Sequence, residues 1–238
     1  MDCKDTEHEA EAIVSNIITK RFKQRIRPGD VAILYRGNHQ SRPLEKVLRM
    51  NNLSYRITGG QSFFERAEVK DILAYLRLLT NPDDDTALLR IINTPRRHIG
   101  ASTLEKIALY ANNRHVSLFK ACNEAGLTSV LDNRGIQRIQ RFTDLMNELA
   151  LNSQTVAPAT VVKQLISAIN YADWLRELSK DQAAAERRQE NVSELVNWIE
   201  RMADKEELDL HEIIARISLL DMLDKNEDSD QGDMSNLM

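Results

Sequence analysis

The sequence predicts a mostly α-helical protein with a small strand–helix–strand piece near its start. Three observations carry that expectation. Leu, Ala, Glu, Arg and Lys dominate the composition, which favours helix. With 8 Gly and 5 Pro in 238 residues there are too few turn-formers for a sandwich or barrel. Apolar residues recur at helical spacing through most of the chain after Gly60, whereas short apolar runs ended by polar residues are confined to the region before Gly59.

Residues 7–23 place Ala10, Ile13, Val14, Ile17 and Ile18 on one helical face. Arg27-Pro28-Gly29-Asp30 reads as a turn, and Val31–Tyr35 as a buried parallel strand. Ser41 is expected to cap a helix over 42–51, with a second strand over 54–58, so that the three elements form a βαβ crossover. Such a piece is too small to cover both faces of a sheet and reads as part of a larger α/β domain. Gly59-Gly60 is the clearest break. Beyond it, helices are expected over 65–79, from an Asn81 cap followed by Pro82, and over 102–113, 116–124, 136–151, 157–169, 182–203 and 209–223. The segment 226–233 is acidic and reads as a linker. Ser235–Met238 turns apolar again as the chain stops, which reads as a truncation.

The formal charge of −4 argues against a protein that coats nucleic acid by net charge alone. Its distribution is uneven. Between Arg90 and Lys120 the basic residues Arg90, Arg96, Arg97, Lys106, Arg114 and Lys120 face a single acid, Glu105, whereas 200–233 is strongly acidic. Cys3 and Cys122 lie far apart and in no metal-ligand spacing, which fits a reducing cytoplasm. No apolar run is long enough for a bilayer span, and no membrane role is expected. No glycine is followed by Lys, so a Walker A phosphate cradle is missing, and no metal or nucleophile motif stands out. No catalytic residue, metal or cofactor is expected within this stretch.

Four sets of residues bear on chemistry beyond packing. In the segment 32–42, a strand delivers Arg36 and Asn38 to its carboxyl end, where open α/β sheets bind ligands. Gly37 permits close approach, and the Ser41 helix start can meet a phosphate. A polar strand-to-helix loop is the plainer alternative. In the segment Thr94–Thr103, Arg96 and Arg97 precede Ile99 and Gly100, and Ser102 or Thr103 opens a helix. This layout resembles a helix–hairpin–helix element, which holds DNA phosphate with backbone amides. The alternative is an ordinary helix–helix turn with solvated arginines. Phe63-Phe64 could stack on bases, but burial at a junction is the favoured reading. Arg134, Arg138 and Arg141 read as a solvated helical face, and Trp174 and Trp198 as packing residues.

The motifs AILYRGNHQSR, ITGGQSFFERAEVKDILAYLRLLTNPDDD and IINTPRRHIGASTLEKI, in that order, resemble the Rep/UvrD/PcrA family of superfamily 1 helicases, nearest its Rep branch. The resemblance runs from near residue 7 to the chain end. It implies an internal piece of an ATP-dependent 3′–5′ DNA helicase. Residues 1–58 would belong to the second RecA-like motor domain, called 2A. Residues 59–232 would form the all-helical accessory domain 2B, a multi-helix bundle, and 233–238 would return toward 2A. ATP and Mg would belong to the parent enzyme, and the piece alone is expected to be inactive.

By the same likeness, Arg36 and Asn38 match a loop that touches single-stranded DNA. Thr94, Arg96, Arg97, Ile99, Gly100, Ser102 and Thr103 match a duplex-contacting loop whose first Gly is here His98. Gly59 and Gly60 match the hinge of the accessory domain. Expected partners are DNA and replication or repair proteins, in the cytoplasm. Two other readings remain: a protein-docking helical module with no direct DNA role, and a passive scaffold.

Overall fold

The computed structural model describes residues 3–37, 40–51, 53–58, 62–227 and 235–237. The chain divides into two compact units, Met1–Arg66 with Ala215–Met238, and Ala67–Ile214. It is mostly α-helical, with three short strands among the described residues.

In the smaller unit, α1 (Thr6–Gln24) is capped by Asp5, whose carboxylate accepts from the amides of Glu7 and His8. Its apolar stripe packs on α2 (Ser41–Met50). Ala10, Val14, Ile17, Leu44, Leu48, Leu53 and Tyr55 form the core. Strands β1 (Ala32–Ile33) and β2 (Tyr55–Ile57) flank β3 (Ser235–Leu237), giving a parallel sheet of order β1-β3-β2. Ala32 pairs with Asn236, and Tyr55 with Ser235. The strands joined by α2 are therefore not neighbours. A strand from far along the chain lies between them, which a local crossover pattern does not encode.

Ser41 does not cap α2 as its residue type suggests. Its hydroxyl donates to the Glu45 carboxylate at 3.0 Å, and both residues are buried. Glu45 also accepts from the Tyr55 hydroxyl, the Ser62 hydroxyl at 2.6 Å and the Phe63 amide at 2.9 Å. Burial lifts the Glu45 carboxyl above its ordinary value, against the lowering by these hydrogen bonds. Phe63 and Phe64 are buried with their rings edge to face at 5.1 Å, Lys46 lying over Phe63 and Arg49 over Phe64. These contacts bring residues 62–66 into the smaller unit, and the compact division falls after Arg66. The second division falls inside α11 (Leu210–Glu227). Gly59 and Gly60 lie outside the described residues.

In the larger unit, α3 (Ala67–Thr80) is central and buries Val69, Ile72, Leu73, Ala74, Tyr75, Leu76 and Leu78. It packs against α4 (Asp85–Ile91), α7 (Asn133–Asn152) and α10 (Gln182–Glu206). Two polar pairs tie α3 to later parts of the unit: the Asn191 amide of α10 donates to Glu68 at 2.6 Å, and the Tyr171 hydroxyl to Asp71 at 2.8 Å. Arg90 closes on the same Asp71 at 2.7 Å. Asn81 does not cap α4. Asp84 does, accepting from the Ala87 amide, while the Asn81 side chain closes the preceding turn through the Asp83 amide. Between α4 and α7 stand α5 (Ala101–Arg114) and α6 (Leu118–Cys122). After α8 (Pro158–Ala168), Asn170 turns the chain at φ 49° into α9 (Tyr171–Leu178), a short helix that periodicity alone leaves unmarked.

Candidate nucleic-acid interface

The α4–α5 connection combines an uncapped helix start with a tightly held loop. Asn93 holds the loop from inside. Its side-chain oxygen accepts from the amides of Arg97 at 3.3 Å and Ile99 at 3.1 Å, and its NH2 donates to the Ile99 carbonyl. The Tyr75 hydroxyl donates to the Thr94 carbonyl at 2.6 Å and meets the Arg97 guanidinium. Burial pushes the Tyr75 hydroxyl up to about 12, although the Arg97 charge pulls it down. Thr94 folds back, its hydroxyl donating to the Arg90 carbonyl at 3.2 Å.

Arg97, expected to contact phosphate, points into the bundle. Its guanidinium donates to the carbonyls of Ile91 at 2.8 Å, Ile92 at 3.2 Å and Pro95 at 3.3 Å. It also lies over the rings of Phe142 and Tyr75, at 5.0 and 5.8 Å from their centroids. A guanidinium with several donors in a fixed plane suits this central position better than an ammonium would. Ile99 is also turned inward. Its side chain is buried and its amide and carbonyl are both engaged by Asn93.

The donors change character at Gly100. This residue is exposed at the start of α5, with φ −76° and ψ 165°, and caps the helix with no side-chain hydrogen bond. A Cβ built there meets no atom within 4 Å, so neither backbone conformation nor packing demands glycine. The first amides of an α-helix have no partner inside it. The amides of Thr103 and Leu104 are satisfied by the Gly100 carbonyl, but those of Ala101 and Ser102 have no hydrogen bond among the described residues. Ser102 is exposed and Thr103 half-buried. Two open amides at the positive end of a 14-residue helix have the chemistry to receive an anion.

The loop bends through His98, at φ 57°, and the His98 carbonyl accepts from Arg138 on α7 at 2.6 Å. Arg96 is exposed and has no hydrogen bond or ion pair among the described residues. Sequence reasoning thus found Arg96, Gly100, Ser102 and Thr103 in one place but missed Asn93, Tyr75, Arg138 and Phe142. Asn directly before a Thr-Pro turn is a signal that could have exposed Asn93, because Asn side chains commonly bond the loop backbone around them. In the smaller unit Arg36 is exposed, and Gln40 closes its loop by accepting from the amides of Arg36 and Gly37 at 3.0 and 3.1 Å. Asn38 lies outside the described residues.

Comparison with known proteins gives this geometry a family. Residues 1–236 match the model of the UvrD-like helicase C-terminal domain. The ATP-dependent DNA helicases Rep of Salmonella typhimurium and of Escherichia coli are each 43% identical to the chain over 242 aligned residues. These alignments cover 100% of this chain and 36% of each helicase. The ATP-dependent DNA helicase PcrA of Bacillus subtilis is 34% identical over 207 residues, covering 85% of this chain and 28% of that protein. The chain thus spans about a third of the length of the Rep relatives it matches. From a model match that runs almost end to end, the chain belongs to the UvrD-like helicase C-terminal domain family and is of the Rep/UvrD/PcrA type.

Proposed function

We propose that this chain is part of an ATP-dependent DNA helicase that moves 3′ to 5′ on single-stranded DNA, and that its α4–α5 loop grips the duplex ahead. In this reading residues 1–58 and 233–238 belong to motor domain 2A, and 59–232 to accessory domain 2B hinged at Gly59 and Gly60. Arg36 and Asn38 touch the single strand. ATP and Mg act in the parent enzyme, in the cytoplasm, with replication or repair proteins as further partners.

The observation that carries the duplex reading is the pair of open amides at Ala101 and Ser102 beside an unhindered Gly100. A phosphate oxygen can approach such a helix start without any base being read, so the contact is indifferent to sequence. Arg96 adds an exposed charge at its rim. Asn93, Tyr75, Arg97 and Arg138 hold the loop in shape.

Gly100→Asp tests it in the intact protein that carries this sequence. Aspartate is a good helix cap, and its carboxylate can reach the open amides, so the fold is expected to keep or slightly raise its stability. The same carboxylate occupies and repels the phosphate seat. Loss of affinity for a tailed duplex in fluorescence anisotropy, with single-strand affinity and melting temperature retained, is the expected result. Unchanged duplex binding would remove the loop from the DNA path.

A further inference from the structure

Beside the α4–α5 loop lies a groove of about 450 Å³ whose rim and floor include Arg96, Arg97, His98, Arg138, Arg141 and Phe142. We propose that this groove is a second phosphate seat, taking the backbone of the same DNA strand next to the phosphate held at the start of α5. The proposal rests on the duplex reading above and extends it to α7.

No carboxylate lines the groove. Elsewhere on the same unit exposed cations meet acids: Lys120 with Asp83, Arg114 with Glu124, Lys163 with Glu200 and Arg176 with Asp173. Arg96 and Arg141 are exposed and have no such partner among the described residues. Among the described residues Arg138 is bound by the neutral His98 carbonyl and by no carboxylate, which leaves its charge uncompensated. Arg97 lies behind them over the Phe142 ring, and its partners are carbonyls and a hydroxyl. Its charge therefore also remains, on the apolar side of the groove, where screening by solvent is weaker than at the surface. Four guanidinium groups around one concavity without an acid suit a polyanion, and guanidinium donors match phosphate oxygens in pairs.

Continuity favours nucleic acid over an acidic peptide. His98 lines the groove and Gly100 begins the amide seat two residues later, so at most about 7 Å of chain separates them. A strand lying on one is carried to the other. Arg134, Arg138 and Arg141 are exposed on α7 at spacings of four and three, which extends the positive stripe along the helix.

The test is the double variant Arg96→Gln/Arg141→Gln in the intact protein, beside Gly100→Asp, with a labelled tailed duplex titrated from low to moderate salt. Neither arginine has an internal partner, so the melting temperature is expected to stay unchanged. Duplex affinity at low salt should fall roughly tenfold, and the slope of log affinity against log salt should shrink by about 1.8 for two lost phosphates. An unchanged slope while Gly100→Asp abolishes duplex binding would overturn the groove and leave the amide seat standing. Unchanged duplex binding in both would overturn the amide seat and the groove together. Loss of binding to polyglutamate in the double variant, with duplex affinity intact, would make the groove a protein-docking site and overturn the proposal.

Discussion

The Glu45 cluster of the smaller unit and the α4–α5 loop of the larger one are both dense in polar groups, yet they end differently. Around Glu45, donors from Ser41, Tyr55, Ser62 and the Phe63 amide converge on one buried carboxylate. Among the described residues, these donors are turned inward on that carboxylate. In the loop, Asn93, Tyr75, Arg97 and Arg138 bond the Arg97 and Ile99 amides and most carbonyls from Ile91 to Ile99, whereas the Ala101 and Ser102 amides that begin α5 have no hydrogen bond among the described residues. A binding surface is therefore marked less by how many charges the sequence gathers than by where internal hydrogen bonding runs out.

The largest effect that would sharpen this contrast is at Glu45. Glu45→Ala strands several buried donors and should destabilise the smaller unit by about 3 kcal/mol, read by denaturant unfolding, with duplex affinity of the larger unit kept. The pH dependence has a defined sign. The carboxyl is raised in the folded state, so its stabilising contribution is full below its ordinary value of 4.5 and is lost as pH rises through the folded value. Glu45→Gln should flatten that dependence. If it does not, burial is not what controls the cluster.

Next in size, Asn93→Ala should cost roughly 2 kcal/mol, because it leaves the Ile99 amide without its partner, and should also weaken duplex binding by loosening the loop. Retained binding would mean that the loop needs no internal clamp. Arg138→Ala removes one exposed bond to the His98 carbonyl and should cost about 1 kcal/mol in thermal unfolding. The smallest effect is at Cys122, buried in α6, where burial pushes the thiol up to about 12. It should resist alkylation at neutral pH in the folded protein, and rapid labelling would show that α6 opens.

Much of this architecture was legible in the sequence because helical periodicity is local. The stripes of α1, α3, α7 and α10 and the start of α5 near Gly100 could be placed from residue spacing. What was not legible depends on distant partners. Arg96 and Arg97 are adjacent and chemically identical, yet one faces solvent and the other sits between Phe142 and Tyr75, residues from two other helices. Ser41 and Asn81 have the chemistry of helix caps, but Glu45 and the Asp83 amide compete for them. Strand β3 enters the sheet between β1 and β2 from the far end of the chain. Arg138 reads as a solvated helix residue until the loop brings the His98 carbonyl to it.

Amide hydrogen exchange on the intact protein, with and without a tailed duplex, tests the central claim most directly. Protection should rise at Ala101 and Ser102 when the duplex binds, while Ile99, already bonded to Asn93, stays as it was. Exchange at Ala101 and Ser102 that is indifferent to bound duplex would contradict the account.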